Sequence, residues 1–165
     1  MKQNASFDTS FWINVCVGNT VAYVNEYFNL FTTNEVAEEI RYPLDILGIK
    51  SQSTLLFNKW LNQDKITLQN PNNPVSWFQS GENAAIALAI EQRYFILIDD
   101  ANPYHRAKNA GLSVIGSSDF TVFLYDQDHI TFEGAMGALQ QMQISKKLRR
   151  TASVTLESLK RLKDK

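Results

Sequence analysis

An α/β fold built on a parallel sheet is what this sequence predicts, and three observations carry the prediction. Phe95-Ile96-Leu97-Ile98 is apolar at every position, as in a strand covered on both faces, and it ends abruptly at Asp99-Asp100. An Ala/Ile/Leu-rich helical stretch, from Ser80-Gly81-Glu82 to about Glu91, precedes it. A second helix, Pro103 to Asn109, follows and is closed by Gly111 before the strand-like Leu112 to Ile115. Helix, strand, helix and strand in one short stretch is a βαβ rhythm, which calls for a sheet with helical covers.

The other elements follow in chain order. Ala5 to Phe11 is read as a first strand, although Ser6, Asp8 and Ser10 make it polar. Val17, Val21, Val24 and Phe28 stand at near-helical spacing, so Val15 to Phe28 is predicted as a helix, and Asn29-Leu30-Phe31 as a brief strand. Thr33 caps a helix through Val36 and Ile40 that Pro43 is expected to stop, because proline lacks the donor. Ser53 to Leu61 is amphipathic. Ile66-Thr67-Leu68 is a short strand leading into the surface loop Asn70-Pro71-Asn72-Asn73-Pro74. Ser117-Ser118-Asp119 caps a helix bearing Phe120, Phe123 and Leu124. Ile130 opens another, and Thr155 to Lys163 is a last one.

A chain of 165 residues with 44% hydrophobic content is enough for one domain with a proper core and too short for two comfortable ones. Cys16 is the only cysteine, which excludes an internal disulfide and a Cys-rich zinc site and reads as a small buried hydrophobe. Met1 to Ser10 has no apolar segment and no membrane-length apolar run occurs, so a cytoplasmic location is expected. The net charge of −1 hides an asymmetry. Residues 1–145 carry 8 Lys/Arg against 15 Asp/Glu, and residues 146–165 carry 8 against 2. We therefore expect an acidic domain over 1–145 followed by a basic helical tail over 146–165.

Four acidic positions fall where α/β folds do their chemistry, at the C-terminal ends of strands or in helices that begin there. They are Asp8, Glu39, Glu82 and the pair Asp99-Asp100. Carboxylates gathered together raise one another's pKa, and a divalent cation removes the conflict. Mg²⁺ takes oxygen ligands, keeps several waters, and demands no tidy local motif. Each residue also has a plain structural explanation. Asp8 could cap a turn, Glu82 could complement a helix dipole, one of Glu38 and Glu39 could simply be solvated, and Asp99-Asp100 could form a strand-end turn.

Asp8-Thr9-Ser10, the segment Thr33 to Ile40, the helix Gly81 to Ala89, and Leu97-Ile98-Asp99-Asp100 followed by Arg106-Ala107 and Gly111-Leu112 together resemble the PIN-domain superfamily, in its VapC-like prokaryotic branch. The resemblance spans about residues 5 to 125, and the order of the blocks carries it more than any one block. It implies a Rossmann-like three-layer α/β/α fold with a central parallel sheet. It also implies a Mg²⁺- or Mn²⁺-dependent endoribonuclease, in many relatives the toxin of a toxin–antitoxin pair and often a homodimer. Carried over by position, the catalytic acids are Asp8, Glu39, Glu82 and Asp100, with Asp8 and Asp100 on the metal and Asp99 as the alternative if the register slips by one. Glu82 stands where Asp is commoner, so its longer side chain would reach the metal through water. Thr9 or Ser10 would orient Asp8.

Arg106 and Lys108, just after Asp100, are placed to meet an RNA backbone. The run Lys146-Lys147-Leu148-Arg149-Arg150 could contact phosphates or be a solvated face. His105 and His129 lack the spacing of a metal pair. Trp12, Trp60 and Trp77 could stack on bases, although burial or partner contact is the commoner role of a tryptophan. The competing class is a catalytically silent module that binds nucleic acid or an antitoxin-like protein through its tail and an apolar helix face. No Walker-type phosphate loop is present.

Overall fold

The computed structural model describes residues 1–165. Five strands, β1 (Gln3–Phe7), β2 (Phe28–Thr32), β3 (Ile66–Leu68), β4 (Phe95–Leu97) and β5 (Val114–Ile115), form one all-parallel sheet in the order β3-β2-β1-β4-β5. Nine helices accompany them: α1 (Thr9–Val17), α2 (Val21–Tyr27), α3 (Asn34–Asp45), α4 (Gln52–Asn62), α5 (Ser80–Gln92), α6 (Ala101–Asn109), α7 (Ser117–Asp126), α8 (Phe132–Gln141) and α9 (Lys146–Lys163). The predicted three-layer α/β/α architecture is the one found.

Strand alternation sorts the layers. Phe7 points to one face, where it stacks on Trp12 of α1 and meets Phe57 of α4 edge-on. Phe28 and Phe95 share that face, and Phe120 of α7 packs on Phe28. Ser6 points the other way, and its hydroxyl donates to the Ala85 carbonyl of α5 at 2.9 Å. The polar residue in the central strand is thus satisfied by a helix carbonyl, which is how a serine is tolerated where the core is dry. Phe31, register partner of Ser6, faces the same side and packs on Tyr94.

The first strand is shorter than the sequence indicated. It ends at Phe7, and Asp8 leaves the sheet to cap α1, so Ser10 belongs to the helix. Residues 15–28 hold two helices rather than one, because Gly18, Asn19 (φ 56°) and Thr20 break the chain between α1 and α2. Pro43 does not stop α3. Helical geometry resumes beyond it, and Ile46 donates to the Tyr42 carbonyl at 3.0 Å. The helix read from Thr155 begins nine residues earlier, at Lys146 behind the Ser145 cap.

The main core joins Ala5, Phe7, Trp12, Phe57, Ile86 and Ile96–Ile98 across both faces. A smaller second core holds Tyr125, Ala135, Leu139, Met142, Ala152 and Leu156, where α7, α8 and α9 meet. The basic segment 146–165 is therefore docked through its apolar stripe. Arg149 donates from Nε and Nη2 to the Leu139 and Met142 carbonyls at the end of α8. No helix is long and apolar enough to cross a membrane.

Candidate metal centre at the C-terminal rim of the sheet

The sheet order turns between β1 and β4. Strands run one way from β1 to β2 to β3 and the other way from β4 to β5, which leaves a crevice beyond the C-terminal ends of β1 and β4. Asp8 follows β1, and Asp100 follows β4 at the start of α6. Glu82 lies in the first turn of α5, whose N-terminus opens onto the same rim. One carboxylate oxygen from each of Asp8, Glu82 and Asp100 lies within 4.8 Å of the others. Residues separated by 92 positions in the chain converge because three elements end at one edge.

Each acid is held differently. Asp8 is 2% exposed and accepts from the Phe11 amide at 3.0 Å and from the Ser10 hydroxyl at 2.9 and 2.8 Å on its two oxygens. Burial drives its pKa well above the ordinary range. Those hydrogen bonds oppose the shift, and the charges of Asp99 and Asp100 add to it. Glu82 is pushed up to about 7, first by partial burial and then by Asp100 beside it, with Glu39 contributing. Asp100 occupies the cap position of α6 without using its side chain as a cap, and its carboxylate meets that of Glu82 instead. The molecule's two salt bridges, Lys160–Glu133 and Lys163–Asp128, both lie on α9, and no lysine or arginine neutralises the rim.

The other predicted residues sit nearby in other roles. Glu39 accepts from the Thr9 hydroxyl at 2.6 Å and from the Gly81 amide at 3.1 Å, and it lies outside the group of three. A Cβ at Gly81 would meet the Glu39 carboxylate, which would have to swing away. Of the two hydroxyls expected to orient Asp8, Ser10 does so and Thr9 serves Glu39 instead. Asp99 turns away from the group. It is 7% exposed and accepts from Asn14 Nδ2 at 2.7 Å and from the Ser117 amide at 2.6 Å, so its oxygens are already engaged. Its pKa too is raised by burial, against the pull of Ser117 and Asn14. The Arg106 guanidinium lies 4.5 Å over the Trp77 ring, and Lys108 is exposed with no ion-pair partner.

Asn14 and Asn83 escaped sequence reading. Asn14 is buried in α1, clamps Asp99, and exchanges hydrogen bonds with the Gln143 backbone at 2.7 and 3.3 Å. Asn83 accepts from the Trp77 and Phe78 amides at 2.9 and 2.6 Å and donates to the Phe78 carbonyl at 2.6 Å. A polar residue at an inward position of α1 was the signal for Asn14. Nothing local marks Asn83, whose partners lie in an irregular loop.

A model of the family DUF3368, described as PIN domain, matches residues 6–164. The chain belongs to the PIN-domain family. Among solved structures, this PIN domain is similar to a PilT N-terminus domain protein, SSO1118, from the hyperthermophilic archaeon Sulfolobus solfataricus P2. The identity is 17% and the TM-score 0.45, over 70% of this chain and 88% of that one. No curated protein matches it. PIN domains are nuclease-like modules that typically use divalent metals, and the acidic group of this PIN domain suits such an ion on its own geometry. All its donors are carboxylate oxygens, the set a hard cation takes. The three donors lie within 4.8 Å of one another, near enough to share one ion.

Proposed function

We propose that this PIN domain is a metal-dependent endoribonuclease that hydrolyses phosphodiester bonds at the rim of β1 and β4. The observation that supports this most is the convergence of Asp8, Glu82 and Asp100 within 4.8 Å without a basic partner. Three like charges at that spacing cost stability, and a fold that keeps them stores that cost for a cation to relieve. Asp8 and Asp100 would hold Mg²⁺ or Mn²⁺. The ion, when bound, polarises the phosphoryl oxygen and lowers the pKa of an attacking water. Ser10 keeps both oxygens of Asp8 aimed at the crevice. Glu82, on its longer side chain, would take the proton of the attacking water at a carboxylate oxygen. Glu39, fixed by Thr9 and the Gly81 amide, extends the negative rim and orders α3 against α5. Lys108 and the exposed Arg106 lie on the helix that Asp100 opens, where an RNA backbone passes. The toxin role in a toxin–antitoxin pair, with an antitoxin protein as partner, belongs to this proposal and rests on the family resemblance.

The test is cleavage of single-stranded RNA by the purified protein in Mg²⁺ or Mn²⁺, with and without chelator, beside Asp8→Asn and Asp100→Asn. Metal-dependent cutting that both substitutions abolish supports the reading, and equal cutting by all three proteins removes the proposed site. Growth arrest on expression, relieved by Asp100→Asn, tests the toxin role separately.

A further inference from the structure

Beside the acidic group an open cavity of about 470 Å³ is lined by Glu82 and Asp100 together with Phe78, Gln79, Asn102 and Pro103. Its size is within the range of small-molecule sites, about 300–1,000 Å³. Its lining mixes two chemistries: the two carboxylates it shares with the metal centre, and a ring, a proline and two amides.

The second group has the parts of a base-recognition site. Phe78 is half-buried against the main core and lines the cavity with its remaining surface. Gln79 and Asn102 are exposed, and neither side chain makes a hydrogen bond within the protein. An amide both donates and accepts, which is what reading the edge of an unpaired nucleobase takes. The loop that carries Phe78 is not loose. Asn83 grips it through three hydrogen bonds to Trp77 and Phe78, and Arg106 of α6 packs on Trp77 from the far side. The ring is therefore presented by a backbone fixed before any ligand arrives, so little ordering cost falls on binding.

We infer that this cavity is a nucleobase subsite, which seats the base next to the scissile phosphate of an unpaired RNA strand and sets the cleavage preference through Gln79 and Asn102. The inference rests on the nuclease reading for its place in the reaction, but the binding it claims can be measured without catalysis. Phe78 supplies stacking, which tolerates any base, and the amides choose among bases.

Two experiments keep the two readings apart. The first is end-mapping of a random-sequence RNA cut by wild type, Phe78→Ala and the surface double variant Gln79→Ala/Asn102→Ala. The double variant is expected to lose base preference at one position beside the cut. Phe78→Ala should lower kcat/KM about tenfold through KM. Unchanged cut positions in a protein that does cleave would overturn the subsite and leave the nuclease standing.

The second is titration with the four uncharged nucleosides and their deoxy forms in chelator, followed by the side-chain amide NMR signals of Gln79 and Asn102. Saturable shifts of those signals, lost in Phe78→Ala, would support the subsite even if no RNA is cut. No shift with any nucleoside would overturn it. Equal response to ribo and deoxy forms would assign the base edge alone as the recognised chemistry, and the subsite would stand.

Discussion

The two ends of the fold treat charge in opposite ways. Around α9, Lys163 Nζ reaches Asp128 at 2.6 Å and also donates to the Tyr125 and Asp126 carbonyls at 2.9 and 2.8 Å, while Lys160 stands 4.0 Å from Glu133. Lys163 finds its complement at the C-terminal end of α7, where a cation is favoured, and Lys160 pairs with an acid in the first turn of α8. At the rim of β1 and β4, Asp8 and Glu82 have their pKa values raised and no cation answers them. The difference separates a structural use of charge from a functional one. Compensated charge holds helices together, and uncompensated charge awaits something from outside.

The largest effect that would break this contrast is on activity. Asp100→Asn and Asp8→Asn should each lower kcat/KM for RNA by about 10²–10³-fold or more, as loss of a direct electrostatic partner of the reacting centre does. An RNA cleavage assay at saturating Mg²⁺ reads it.

Next is stability against metal. At an Mg²⁺ concentration a hundred times its dissociation constant the wild type should gain about 2.7 kcal/mol, roughly 5–10 °C in Tm for a chain of this size. Asp8→Asn should show no gain, while its Tm in chelator should exceed that of wild type at pH 8, because the buried charge is gone. Thermal melts with and without chelator give both numbers.

The pH dependence sharpens the contrast. Glu82 goes from an ordinary value of 4.5 in the unfolded chain to about 7 in the fold, and Asp8 moves in the same direction. Between those values the folded state holds a proton that the unfolded state has lost. Stability of the metal-free protein should therefore be full below about pH 4.5 and fall as pH rises toward 7 and beyond. Mg²⁺ should oppose that fall. Denaturant titrations across this range, with and without metal, check the sign.

A smaller change is expected from Gly81→Ala, which pushes the Glu39 carboxylate off the α5 amide. Activity should drop about tenfold, as when a supporting partner of a metal site is lost, with little change in the metal-induced Tm gain. The smallest is at the compensated end. Lys163→Met should cost about 1 kcal/mol and leave the metal response untouched.

Much of the fold was legible because periodicity is local. The apolar run at Phe95, the Ala-rich α5 and the Thr33 cap each announce themselves within one element, and the parallel sheet follows from their alternation. Boundaries failed where one residue changes allegiance. Asp8 looks like strand until its carboxylate is seen to cap α1, and the Asn19 break is a single left-handed residue that hydrophobic spacing does not encode. At the rim, the acids could be named from their places after strands, but their partners could not. Choosing between Asp99 and Asp100 takes Asn14 and Ser117, which lie 85 and 18 positions from Asp99. The engagement of Thr9 with Glu39 takes the crossing of α1 and α3.

Asn14 has one more consequence. Its amide joins Asp99 at the sheet rim to the Gln143 backbone just before α9, so one side chain ties the β4 end of the sheet to the segment between α8 and α9. Opening the α8–α9 junction would strip a partner from a buried carboxylate at the far end of the link. The two cores should therefore lose their slow-exchanging amides together in native-state hydrogen exchange, as one cooperative unit rather than a body with a fraying appendage.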